Sequence, residues 1–178
     1  LGRNRLLKRP QGVYKTMFEQ QGHRFEQTEQ QLIVQGALKA GSYEIDGSIS
    51  SQFITGLLFA LPLLEQDSII HIKPPFESRS YIELTLQMLK TFGVTAEFQD
   101  NHTLYIPGNQ SYQVCDYTVE GDYSQMAFYA VLAAIQSDLY CKGITSSSKQ
   151  GDKAILSILE ACNCKIEPKQ EGYLVHKS

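Results

Sequence analysis

No block of basic residues runs through this chain. Its 16 Lys and Arg are interspersed with 19 Asp and Glu, for a formal net charge of −3. That balance gives no reason to expect nucleic acid or an anionic membrane surface as a partner. No apolar run is long enough to span a bilayer. The longest, Phe53 to Leu64, is interrupted by Thr55, Gly56 and Pro62. No signal-peptide pattern opens the sequence. Cysteine is sparse: Cys115, Cys141, Cys162 and Cys164. Only the last pair is close, and C-x-C is neither a zinc-ribbon nor a thioredoxin spacing. They read as reduced structural thiols of a cytosolic protein. His23, His71, His102 and His176 lie far apart, without ligand spacing, so no metal is expected.

What is there is an ordinary globular composition. The 178 residues are 42% hydrophobic and 20% charged. This suffices for one large or two small domains with a core that needs no staples. The first residues, Leu1-Gly-Arg3, enter a helix-like pattern at once without an initiator Met, so the chain reads as a piece of something longer.

The spacing of Leu6, Leu7, Val13, Met17 and Phe18 predicts a helix over 5–21, kinked or broken at Pro10, with Gly22 as C-cap. A hairpin follows over His23–Gln27 and Gln31–Val34. Tyr43-Glu44-Ile45-Asp46 alternates as a strand. Ser50–Leu64 is a mostly apolar helix, Asp67–Lys73 a strand, and Pro74-Pro75 a loop. Ser80–Phe92 is a helix with Ile82, Leu86 and Leu89 on one stripe and Tyr81, Leu84 and Met88 beside it. Gly93 ends it. Thr95–Phe98 and Thr103–Ile106 form a hairpin.

The same order then recurs: a strand over Tyr117–Glu120, a turn at Gly121, a helix over Ser124–Gln136 and a strand over Leu139–Ile144. A helix over Asp152–Cys162 places Ile155, Ile158 and Leu159 inward. A hairpin over Lys165–Pro168 and Tyr173–His176 closes the series. Ser42–Gly47 lies over Asp116–Gly121, Ser51-Gln52 over Ser124-Gln125, and Leu86–Phe92 over Ile158–Cys164. This is a β-α-β-α-β-β repeat of roughly seventy residues, with about two and a half copies present. Such a unit is a small α/β layer. Loop formers at 107–111 put a boundary there, dividing 1–110 from 111–178.

The chemistry concentrates at Asp46-Gly-Ser-Ile-Ser-Ser-Gln-Phe53. Hydroxyls, an amide and the unpaired N–H groups of a helix start can hold an anion. Ser50 can equally serve as a plain helix cap. Ser80 with Glu83 reads as a capping box. Asp122 suits a cap for the helix after it, and Asp152 sits in a first turn where a carboxylate is favourable.

That stretch resembles the Gly-x-x-Ser-Ser-Gln signature of the enolpyruvylshikimate phosphate synthase family. Ser78-Arg-Ser-Tyr-Ile-Glu-Leu-Thr-Leu86 and Met88-Leu-Lys-Thr-Phe-Gly-Val94 are similar to its Ser-Lys-Pro-Tyr-Ile-(Asp)-x-Thr stretch and Phe-Gly-Val ending. Ser80 stands where the family has Pro. Val119-Glu-Gly-Asp-Tyr-Ser124, Gln150-Gly-Asp152, and Arg5 with Arg9-Pro10 resemble further segments, in order along the whole chain.

The resemblance implies the enolpyruvyl transferase fold, an inside-out α/β barrel of two halves with three units each. It implies carboxyvinyl transfer from phosphoenolpyruvate to shikimate 3-phosphate in chorismate and aromatic amino acid biosynthesis, in the cytoplasm and with no cofactor. It assigns Ser50, Ser51, Gln52, Ser78 and Tyr81 to shikimate 3-phosphate, and Arg5 and Gln52 to phosphoenolpyruvate. The family's catalytic Asp, Lys and Glu fall outside this chain, so the chain alone is expected to be inactive. The parent is expected to be a monomer, and the isolated piece to self-associate through uncovered helix faces. Two alternatives are a UDP-N-acetylglucosamine carboxyvinyltransferase-like protein and a non-catalytic module of the same repeat.

Overall fold

A computed structural model describes residues 7–178. Expectations for Arg5 and Leu6 lie outside the described residues. The chain divides into two compact units, one ending at Val114 and one spanning Cys115–Ser178.

The first unit opens with α1 (Gly12–Gln20), which starts just after Pro10. Gly22, at φ +77°, closes its end. The hairpin is β1 (Arg24–Gln27) with β2 (Leu32–Gln35), antiparallel. Then come β3 (Ser42–Asp46), α2 (Gln52–Ala60), β4 (Ser68–Lys73), α3 (Arg79–Thr91), β5 (Glu97–Phe98) and β6 (Thr103–Ile106). This is the expected β-α-β-α-β-β order. The sheet runs β3-β4-β6-β5, with β3 and β4 parallel and Asp46 opposite Lys73. Alternation in β3 buries Tyr43 and Ile45 and exposes Glu44 and Asp46. Both helices press onto the sheet: Ile54, Leu57 and Leu58 of α2 and Ile82 and Leu89 of α3 share one core with Ile70, Ile72, Leu104 and Ile106. The α2 helix is shorter than its apolar run. Pro62 has no N–H for an α-helical bond, so Leu61–Leu63 tighten into a 3-10 turn.

The second unit holds α4 (Tyr123–Gln136), β7 (Leu139–Lys142), α5 (Ala154–Ala161), β8 (Ile166–Lys169) and β9 (Gly172–Val175). Its sheet order, β7-β9-β8, reproduces β4-β6-β5. Three expectations are corrected. Tyr117–Glu120 is not a strand. Val119 is 82% exposed, and it is the Gly121 N–H, past this stretch, that bonds Gly143 O at the end of β7, at 2.8 Å. A strand needs a ladder partner as well as alternation. Next, Ile158 faces outward. Leu156 and Leu159 are buried and Ile155 packs against the same core; at 100° per residue these three share one arc of the helix and Ile158 lies outside it. Finally, the repeat register in the second helix is shifted. Val94 N–H bonds Leu89 O, and Cys164 N–H bonds Leu159 O, so Leu89 matches Leu159.

The four cysteines are free, and burial pushes the Cys141 thiol above its ordinary range. Among the described residues no group of three or more His, Cys, Asp or Glu is placed to hold a metal, and no helix is long and apolar enough to cross a membrane.

The β8 edge gives a pH prediction. Glu167 lies 2.6 Å from Lys165 Nζ and 2.8 Å from Lys169 Nζ, and these ammonium groups hold its carboxyl down at about 2. Its favourable contribution is present above the ordinary glutamate range and is lost as pH falls towards 2. The pair is solvent-exposed, so salt weakens it. An NMR titration of the Glu167 carboxyl carbon should show a midpoint near 2 at low ionic strength. It should move up in molar salt. A midpoint in the ordinary range at low salt would refute the pairing.

Candidate functional site

Two loops leave the C-terminal ends of the parallel strands β3 and β4, the end where open α/β sheets usually bind ligands. The first begins at Gly47. Its N–H bonds Lys73 O at 2.8 Å, tying the end of β3 to that of β4. A Cβ here would meet Pro75 O at 2.6 Å and Lys73 O at 2.7 Å, so only glycine fits. Asp46 Oδ1 then accepts the Ser48 hydroxyl at 2.6 Å and the Ser48 N–H at 2.9 Å. These bonds lower the Asp46 carboxyl below its ordinary range.

The chain next turns into α2. Ser50 Oγ accepts the Gln52 N–H at 3.3 Å, and Ser50 O accepts the Phe53 N–H at 3.2 Å. Ser50 therefore does cap the helix start, and two first-turn donors expected to point at a ligand point at Ser50. Ser51 is the residue at the N-cap position, and its hydroxyl makes no capping bond. The Gln52 side chain is exposed.

The second loop ends at Ser78, the N-cap residue of α3, whose hydroxyl also makes no capping bond. Ser80 lies inside the first turn, so the expected Ser80–Glu83 capping box does not form. Glu83 instead receives Arg79 Nε at 2.8 Å. Arg79 also donates to Asn101 O at 3.0 Å, and its guanidinium lies 4.3 Å from the Phe98 ring centroid. It ties the start of α3 to the β5–β6 hairpin. Tyr81 is a little under half exposed.

The two helices meet deeper, about one turn into α2 and two turns into α3, where Thr55 Oγ1 and Thr85 Oγ1 are 3.1 Å apart. The structure thus brings Ser50, Ser51 and Gln52 to the same end of the sheet as Ser78 and Tyr81. Arg5 lies outside the described residues. Lys73 Nζ is paired with Glu44 at 2.7 Å, and this raises the ammonium's pKa. An open groove of about 820 Å³ runs between α1 and β3, with Asp46, Ile49 and Lys73 on its rim. The candidate serines do not line it.

The matching turn of the second unit is occupied differently. Gly121 again has no room for a Cβ, with Gly143 O at 2.5 Å. Asp122 caps α4 by accepting the Ser124 N–H at 2.8 Å, as expected. Ser124 Oγ donates to Asp152 Oδ2 at 2.7 Å. Gln150 locks the turn: Oε1 accepts the Tyr123 N–H, and Nε2 donates to Glu120 Oε1 and Gly121 O, all at 2.9 Å. The Glu120-Gly-Asp-Tyr-Ser124 and Gln150-Gly-Asp152 motifs are therefore one structural clasp. Sequence reasoning picked out Gln150 as part of a motif but gave it no role, and it gave none to Arg79 or the two threonines. Thr55 was the one detectable signal, a lone hydroxyl in an apolar helix.

Comparison with known proteins is consistent across methods. The family model described as EPSP synthase (3-phosphoshikimate 1-carboxyvinyltransferase) matches residues 1–178. The chain is 45% identical to the 3-phosphoshikimate 1-carboxyvinyltransferase of Clostridium perfringens, over 98% of its own length and 42% of that protein's. It is 41% identical to that of Clostridium kluyveri, over 99% and 42%. Among solved structures, EPSP synthase from Acinetobacter baumannii superposes with a TM-score of 0.70 at 21% identity, over 98% of this chain and 40% of that one. The chain thus spans about two-fifths of the length of the curated relatives it matches.

Proposed function

As the chain belongs to the EPSP synthase family, we propose that it holds shikimate 3-phosphate within a cytoplasmic transferase. That enzyme moves a carboxyvinyl group from phosphoenolpyruvate to a hydroxyl of that phosphorylated cyclohexene acid and releases phosphate, on the way to the aromatic amino acids. One observation carries the placement. Ser51 and Ser78 stand at the N-cap positions of α2 and α3, at the same end of the parallel strands, and neither hydroxyl makes a capping bond. A serine in that position usually caps. Two that do not leave two hydroxyls for a polyanionic ligand, beside helix starts that favour negative charge.

In this reading Ser51 and Ser78 contact the phosphorylated substrate first. Gln52 and Tyr81, both exposed, close over its ring. Ser50 acts chiefly through the turn it caps. Gln52 also reaches phosphoenolpyruvate, and Arg5 is proposed as a cation for it. The resemblance places the acid/base groups outside residues 1–178, so the chain alone binds and does not turn over. The domain division proposed from sequence, 1–110 and 111–178, separates this site from the clasped turn of the second unit.

Titration of shikimate 3-phosphate into the 15N-labelled chain tests the reading. Shifts should centre on Ser51, Gln52 and Ser78, and Ser51→Ala should weaken binding on the order of tenfold, as for a lost hydrogen bond to a charged group. Shifts elsewhere, an unaffected variant, or turnover by the wild-type chain would overturn it.

The chain is also expected to self-associate. Phe128 and Ile135 on α4 are 74% and 67% exposed, part of an apolar face with Tyr129 and Leu132. Light scattering should show mass rising with concentration. Phe128→Lys combined with Ile135→Lys should restore a monomer, and a monomeric wild-type chain would rule the idea out.

A further inference from the structure

In the first unit the two helix starts that carry the candidate serines are joined by a pair of threonines. Thr85 is buried, between Ile82 and Leu89 on the inward stripe of α3. Its hydroxyl donates to Tyr81 O at 2.9 Å. A threonine has one hydroxyl proton. With that proton on Tyr81 O, the 3.1 Å contact between the two Oγ1 atoms requires Thr55 to donate to Thr85. Thr55 N–H in turn bonds Ser51 O at 2.9 Å. One hydrogen-bonded path therefore runs from the Ser51 carbonyl through Thr55 and Thr85 to the Tyr81 carbonyl.

The surroundings make this path a register lock. Ile54, Leu58, Ile82 and Leu89 place it among apolar side chains. If either helix slid by a turn, the Thr55 hydroxyl would lose Thr85 as its acceptor in an apolar setting, which is costly, while Thr85 would keep its bond to Tyr81 O of its own helix. Apolar contacts alone would tolerate such a slide better, because they are not directional.

The second unit shows the alternative. There the first turn of α4 is joined to the approach to α5 through Ser124 and Asp152, 2.7 Å apart, so the joint uses a first-turn serine itself. In the first unit the joint is set deeper, and the Ser51 hydroxyl makes no capping bond.

We propose that Thr55 and Thr85 are positioning residues for the shikimate 3-phosphate site: they fix the α2 start against the α3 start without using the serines that face the ligand. This rests on the function proposed above.

The test uses the 178-residue chain with Thr55→Val, Thr85→Val, the double variant and Thr85→Ser, each checked for folding by circular dichroism. Valine keeps the shape and removes the hydroxyl. Thr85→Val should shift the amide resonances of Ser51 and Gln52, across the helix pair. Thr55→Val should shift those of Ser78 to Tyr81. Thr85→Ser should leave both sets near wild type. Affinity for shikimate 3-phosphate should fall on the order of tenfold in either Val variant, and little further in the double variant, as expected for two residues acting as one unit. Shifts confined to the substituted helix would overturn the proposal, as would additive losses or a Ser variant as impaired as Val. If the wild-type chain does not bind shikimate 3-phosphate, the proposed function fails, while the amide shifts still decide whether the threonines hold the two helix starts together. Should Thr85→Val not fold, the less buried partner's Thr55→Val and the Thr85→Ser rescue decide the matter.

Discussion

Gly47→Ala should destabilise the first unit by about 3 kcal/mol, the upper part of the range for forcing atoms into a packed site. The new methyl would meet two backbone carbonyl oxygens, Pro75 O and Lys73 O, and also the Ile72 side chain at 2.9 Å. A side chain can rotate away, but carbonyls fixed by the β3–β4 pairing cannot. Relief would require breaking the 2.8 Å bond from Gly47 N–H to Lys73 O, which joins the strand ends. The loop to Ser51 would then lose its anchor. Denaturant unfolding followed by NMR should show resonances of Ile45 and Ile70 losing stability, and binding of shikimate 3-phosphate should weaken as well. Gly121→Ala should do the same in the second unit, where Gly143 O and the Ile144 side chain lie at 2.5 and 2.8 Å. A loss under about 1 kcal/mol at Gly47 would mean that the turn relaxes freely and that the shared glycine of the repeat has another cause.

Gln150→Leu should cost the second unit a similar amount, about 3 kcal/mol, from three hydrogen bonds, one of them to a carboxylate. Leucine fills much of the same space, so the loss is one of pairing more than of packing. The N–H of the buried Tyr123 and the carbonyl of Gly121 would be left without this partner, and Glu120 would keep the Ser148 hydroxyl at 2.8 Å. The turn before α4 should open first, seen as faster amide exchange at Tyr123 and Ser124. Gln150→Glu separates size from charge. It sets a second carboxylate against Glu120, so it should be more damaging at neutral pH and recover as acid protonates the pair. Stability of Gln150→Leu equal to wild type, or a pH-independent Gln150→Glu, would show that the clasp is incidental.

Much of this molecule was legible locally. Alternation in Tyr43–Asp46 gave an inward and an outward face, because successive side chains in a strand point to opposite sides. Apolar spacing gave α2, α3 and α4. Gly22 and Gly93, both at φ +77°, ended α1 and α3 where the left-handed conformation excludes most side chains. Pro10 marked a real interruption, because a missing N–H acts on its own helix whatever surrounds it, whereas the helix expected over Ser50–Leu64 ends at Ala60, before Pro62. The repeat was legible in part for the same reason: the first unit shows the full β-α-β-α-β-β order and the second reproduces it without the opening strand.

What the sequence could not decide was where hydrogen bonds and faces end up once distant segments meet. Tyr117–Glu120 has the alternation of Tyr43–Asp46, yet lacks a ladder, since pairing depends on a neighbour that local pattern does not supply. Ile158 turned outward because the core took the arc of Ile155, Leu156 and Leu159, a choice of face that apolar spacing alone left open. At the site, sequence alone placed Ser50, Ser51, Gln52 and Ser78 near helix starts. Only the tertiary structure separated their roles. Ser50 caps α2, Ser51 and Ser78 do not cap, and the joint that would otherwise need a first-turn serine is carried by Thr55 and Thr85. A hydroxyl has several possible partners, and which one it takes is fixed by what the fold brings within about 3 Å.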